Sequence, residues 1–146
     1  MKAFVDTNVI LDYVLQREHY IEAKNVIAKL MAAKYELLIS VGGFYTMLFV
    51  VDKYFRNELH KNRLEARELT RNVMKKTLSA FDVADHDKKT LLMGVDELRF
   101  KDIEDSCQYQ LAKKHGCDIF VTFNTADFPE TAIQEVEVVS PTGFTL

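Results

Sequence analysis

The chain has 146 residues, 48% of them apolar and 11% aromatic, with 19 Lys plus Arg against 22 Asp plus Glu and only 5 Gly and 2 Pro. This composition builds one packed domain over residues 1–146 and excludes a low-complexity tail or a flexible linker. No run approaches the roughly 18 consecutive apolar residues that cross a bilayer, and Asp6 interrupts what would be the apolar core of a leader, so a cytoplasmic protein without membrane contact is expected.

Read in chain order, short apolar runs alternate with runs of helical period. Lys2 to Val5 is a strand that ends at Asp6, and Thr7-Asn8 precede a helix carrying Val9, Ile10, Leu11, Tyr13 and Val14. Ala23, Val26, Ile27, Leu30 and Met31 recur at three and four between Tyr20 and Ala33, a one-faced helix. Leu37 to Ser40 reads as a buried strand. Gly42-Gly43 then breaks the pattern before a helix whose stripe is Phe44, Met47, Leu48, Val51, Tyr54 and Phe55. From about 60 to 76 a surface helix has Leu59, Ala66, Leu69 and Val73 as a thin apolar stripe among basic residues.

Thr77 to Val83 is predicted as a third strand, Lys88 to Leu98 as a helix, and Ile103 to His115 as a helix stopped by Gly116. Asp118 to Thr122 and Val136 to Val139 complete the strands. Apolar strands separated by helices predict an α/β fold with three layers, α/β/α, around a parallel sheet of four to five strands.

In such a sheet, ligand chemistry collects at the carboxyl ends of the strands near the switch in strand order. The acids fall in those places: Asp6 ends strand one, Asp102 and Asp105 bracket a helix start, and Asn124 and Asp127 follow strand four. Each has a plain alternative as a helix cap, a first-turn acid or a turn residue. Their combination favours a functional cluster. Carboxylates brought together raise one another's proton affinity, and a divalent cation relieves this. Hard oxygen donors select Mg²⁺ or Mn²⁺ over zinc.

FVDTNVILD at the amino terminus, DIED opening the late helix, and VTFNTADF after it together resemble the PIN domain, in particular the VapC-like toxin ribonucleases of bacterial toxin-antitoxin pairs. The resemblance implies a metal-dependent endoribonuclease that cleaves single-stranded RNA, tRNA included. It also implies a homodimer and a cognate antitoxin whose tail enters the active groove. Asp6, Asp105 and Asp127 match the family's catalytic acids, and Asp102 and Asn124 join them as metal neighbours. Thr7 and Asn8 match residues that help hold the site. One position departs from the pattern. The family carries a Glu about six residues after the Ser that ends strand two, and here that position is Thr46. A Thr hydroxyl can orient a water but brings no negative charge, so a PIN-like RNA- or protein-binding module with weakened or absent catalysis is the alternative.

Net charge is −3, yet residues 53–76 hold eight Lys or Arg against three Glu, a local +5 that leaves −8 on the remainder. Arg63, Arg67 and Arg71 in this stretch are candidate phosphate contacts. The stretch has solvated-face, dimer and antitoxin-contact readings as well. The aromatics before it, Phe44, Phe49, Tyr54 and Phe55, read as packing and dimer contact. His19, His60, His86 and His115 stand beside no motif acid and read as surface or capping groups.

Other chemistries lack their residues. A haloacid-dehalogenase-type phosphohydrolase needs a second Asp two positions after the first, where Asn8 stands, and Gly42-Gly43 is no phosphate-binding loop. Cys107 and Cys117 have neither zinc-type spacing nor a neighbouring base, so they read as free, partly buried thiols.

Overall fold

The computed structural model describes residues 1–130 and 135–146. The elements are β1 (Lys2–Val5), α1 (Thr7–Val14), α2 (Tyr20–Ala32), β2 (Glu36–Ser40), α3 (Val41–Asn57), α4 (Arg63–Ala80), β3 (Asp82–Ala84), α5 (Lys88–Asp96), α6 (Ile103–Lys114), β4 (Ile119–Val121) and β5 (Glu137–Val139). A 3₁₀ turn covers Thr125–Asp127. All four strand pairings are parallel, in the order β3-β2-β1-β4-β5.

Strand alternation divides the core between the two faces of the sheet. Ala3, Val5, Leu37, Ile39, Ile119 and Val121 pack with residues of α1, α2, α3 and α4. Phe4, Leu38 and Phe120 pack instead with Tyr109, Leu111 and Ala112 of α6 and with Phe128. The α/β/α expectation holds. Phe4 and Phe120 stack across the β1–β4 pair with ring centroids 5.0 Å apart, which fixes the register at the centre of the sheet.

Three expected boundaries are corrected. Thr77 to Val83 is not a strand: α4 runs to Ala80 and β3 is only Asp82–Ala84. The threonines suit a helix because Thr70 Oγ1 donates to the Ala66 carbonyl at 2.7 Å and Thr77 Oγ1 to the Val73 carbonyl at 3.0 Å. The basic helix begins at Arg63, fixed by a capping box between Asn62 and Glu65. Helix α5 stops at Asp96, two residues before Leu98.

Gly42 and Gly43 do not break the chain either. Both lie in the first turn of α3, whose N-cap Ser40 accepts from the Gly43 N–H at 2.8 Å. Gly43 has a packing role, since a Cβ there would stand 2.4 Å from Thr7 Oγ1. The helix thereby abuts the residue that follows Asp6.

Candidate active site

The chain fills one side of the sheet through β1, β2 and β3, then crosses to the other side for β4 and β5. The strand order therefore reverses between β1 and β4, and the crevice beyond their carboxyl ends is where such sheets bind ligands.

Asp6 leaves β1 at this point. Its N–H donates to the Val121 carbonyl at 2.9 Å, and its carboxylate accepts from the Asn8 N–H at 3.4 Å as the N-cap of α1. Thr122 Oγ1, the first residue past β4, donates to Asp6 Oδ2 at 2.9 Å and accepts from the Asn124 N–H at 3.0 Å. Asp6 is thus both a cap and a buried acid facing the crevice, only 3% exposed. Burial raises its proton affinity, the Thr122 hydroxyl opposes that rise, and Glu104 adds to it.

Helix α6 supplies the opposing acids. Asp102 is its N-cap and accepts from the Asp105 N–H at 3.0 Å. Asp105 is buried, and Ser106 beside it donates to the Gly94 carbonyl at 2.8 Å, which holds the first turn of α6 against α5. A Cβ on Gly94 would lie 2.6 Å from the Cys107 Cα, so only glycine allows this approach. Asp127 ends the 3₁₀ turn and is half-buried. Lys101 ties this turn to α6: its N–H donates to the Asp127 carbonyl at 3.3 Å and its Nζ to the Ala126 carbonyl at 2.7 Å.

Desolvation first, then Asp6, Asp102, Asp127 and Glu104 in that order, push the Asp105 acid up to about 7. Separate segments of the chain thus place acids around one buried carboxyl, and the donors are hard oxygens suited to Mg²⁺ or Mn²⁺. Among the described residues no three carboxylate, imidazole or thiol side chains stand close enough to grip one ion together. A Mg²⁺ site completed by water and a phosphate needs only one or two.

Asn124 is exposed at the start of the 3₁₀ turn, joined to the site through its backbone. Thr46 is exposed on α3. Sequence spacing sets Glu104 apart from Asp105 as an adjacent helical position, but in the first turn of α6 it is near enough to act on Asp6 as well. Its influence is coulombic and acts across several ångströms without the two side chains sharing a face. Thr122 was legible only as the end of a strand. His19, remote in sequence, lies with its ring centroid 4.8 Å from that of Phe123, next to Thr122.

A switch-point crevice in a parallel sheet, rimmed by acids from β1, α6 and the turn after β4, defines a class of α/β protein with an acidic centre. The chain belongs to the PIN domain family, which matches residues 2–126. It is 34% identical over 122 residues to Ribonuclease VapC1 of Aquifex aeolicus (strain VF5), across 83% of this chain and 80% of that protein. The fold is that of a chain in the crystal structure of VapBC2 from Rickettsia felis bound to a DNA fragment from their promoter. The TM-score is 0.66 at 17% identity, covering 96% of this chain and 98% of that one.

Proposed function

We propose that this protein is a metal-dependent endoribonuclease that cleaves single-stranded RNA and is the toxin of a toxin-antitoxin pair. The observation that carries the reading is the buried Asp105 carboxyl, raised by Asp6, Asp102, Asp127 and Glu104 at the sheet's switch point. A bound divalent cation would relieve the repulsion among these acids. The likeness to Ribonuclease VapC1 gives the reaction class.

Asp6, Asp105 and Asp127 are the catalytic acids of this reading, with Asp102 and Asn124 beside them. One or two of these carboxylates, with water and a substrate phosphate, would hold Mg²⁺ or Mn²⁺, which would supply Lewis-acid chemistry at the phosphoryl group. Thr122 holds the Asp6 carboxylate in place, and Lys101 holds the Asp127 turn against α6. Arg63, Arg67 and Arg71 supply the phosphate contacts that an acidic centre cannot.

The antitoxin partner is inferred from the likeness to VapC proteins. A homodimer is inferred from the likeness to VapC proteins and from the exposed apolar side chains of α5, where Leu91, Leu92, Met93 and Val95 are 43 to 53% exposed. No helix among the described residues is long and apolar enough to cross a membrane.

Cleavage of a mixed single-stranded RNA pool with Mg²⁺, with Mn²⁺ and with EDTA, beside the Asp6→Asn variant, tests the reading. Cleavage that needs metal and is lost in the variant is expected. Equal inactivity of both proteins overturns it and favours a binding module, the reading that exposed Thr46 supports at the position of the missing acid.

A further inference from the structure

Helices α3 and α4 pack side by side, and the face they share is unlike the rest of the molecule. Tyr45 and Phe49, one turn apart on α3, are each 64% exposed. Phe44, Tyr54 and Phe55 of the same helix instead pack against the core. A groove of about 510 Å³ separates Tyr45, Leu48, Phe49 and Asp52 of α3 from Arg67, Thr70 and Arg71 of α4. It is followed along the helices by a second hollow of about 430 Å³ between Asp52 and Arg56 on one side and Arg63 and Arg67 on the other.

Arg71 pairs with Glu68 and Arg56 with Asp52. Arg63 and Arg67 have no ion-pair partner among the described residues. The Lys53 ammonium lies 6.0 Å from the centre of the Phe49 ring.

We propose that Tyr45 and Phe49 form a base-stacking platform for single-stranded RNA whose phosphates are held by Arg63, Arg67 and Arg71; this rests on the nuclease reading above. Arginines at every fourth residue of a helix recur about every 6 Å, a regular row that suits a polyanion. Exposed rings beside such a row match how single strands are held, by stacking that tolerates any base together with charge along the backbone.

Helix α3 packs against Thr7, the residue after Asp6, through Gly43 in its first turn, and Tyr45 stands two residues further on the solvent side of the same helix. A strand with its phosphodiester at Asp6 therefore has the first turns of α3 as a neighbour.

The test is anisotropy of a short labelled oligouridine titrated with the full chain in EDTA, so that binding is read without cleavage. The Tyr45→Ala/Phe49→Ala double variant is expected to bind at least about tenfold more weakly with an unchanged salt slope, because stacking involves no counterion. Tyr45→Trp/Phe49→Trp is expected to restore binding. Arg67→Ala is expected to weaken binding and lower the slope of log affinity against log salt by about one.

Wild-type affinity in the alanine double variant overturns the platform. So does a double variant that turns a sedimenting dimer into a monomer with RNA binding intact, which would make the face a contact between copies. An acidic, apolar helical peptide that binds this face while oligouridine does not assigns it to a protein partner and overturns the platform too. Ring-dependent binding without cleavage in Mg²⁺ would leave the platform standing and remove the nuclease. Cleavage with ring-independent binding would do the reverse.

Discussion

The acid crevice and the α3–α4 face carry opposite charges, and each depends on the opposite relation to solvent. Asp6 and Asp105 are at most 6% exposed, and it is their burial that lifts their proton affinity and prepares them for a cation. Arg63, Arg67 and Arg71 are exposed, where charge is screened and each contact is weak but additive. A chain of net charge −3 can therefore serve a polyanion, because its cations are concentrated on one stretch, residues 53–76, while a cation in the crevice would offset Asp6, Asp102, Glu104, Asp105 and Asp127.

The largest effect separates the two regions outright. Asp6→Asn is expected to lower metal-dependent cleavage by more than about a hundredfold while leaving oligouridine affinity in EDTA near wild type. It is also expected to raise the melting temperature of the metal-free protein, since a buried charge under repulsion is removed. A parallel loss of RNA binding would show that the regions are not separable. Next comes Thr122→Val, which keeps the shape and deletes the 2.9 Å hydrogen bond to Asp6. A loss of about 10- to 100-fold in cleavage is expected, as for outer partners of metal-binding groups, with recovery in Thr122→Ser.

Much of this arrangement was legible in the sequence, because strand ends and helix starts are local features. Asp6 after an apolar run, Asp102 three residues before Asp105, and Asp127 after VTFN all mark chain turns, and each residue does occupy one. What was not legible comes from packing between distant segments. No local pattern says that the Thr122 hydroxyl reaches Asp6 across 116 positions, or that Glu104 acts on the same carboxyl. The helical stripe of α3 places Phe44, Met47, Val51, Tyr54 and Phe55 inward as expected, but Leu48, read on the same stripe, is exposed, and period alone could not show that it and Phe49 face the groove beside α4. Thr77 was misassigned to a strand because β-branched residues favour strands, whereas its hydroxyl finds the Val73 carbonyl within a helix.

The burial that distinguishes the crevice has a pH signature that the exposed face lacks. Asp105 moves from an ordinary 3.8 to about 7 through desolvation and through Asp6, Asp102, Asp127 and Glu104. Between those limits the folded metal-free chain holds a proton that the unfolded chain has released, so stability is greatest at the acid end and falls as pH rises from about 4 to about 7. Urea midpoints in EDTA across that range should show the decline, and Asp105→Asn should flatten it. A slope that Mg²⁺ leaves unchanged would break the link between these acids and a cation.

The smallest effect lies at the junction of the two regions. Gly43→Ala would set a methyl group 2.4 Å from Thr7 Oγ1 and 3.0 Å from Ser40 Oγ, so α3 must shift away from the residue that follows Asp6. Overpacking of this kind costs about 1–3 kcal/mol. Gly42→Ala, one residue earlier in the same turn, meets only Ser40 Oγ at 3.9 Å and should gain up to about 1 kcal/mol from helix propensity. Thermal or urea melts of the pair give the comparison. Because the shift also moves Tyr45 relative to Asp6, Gly43→Ala should reduce cleavage more than it reduces oligouridine binding, whereas Gly42→Ala should change neither. Equal behaviour of the two variants would mean that the contact with Thr7 does not hold the basic face in register with the acids.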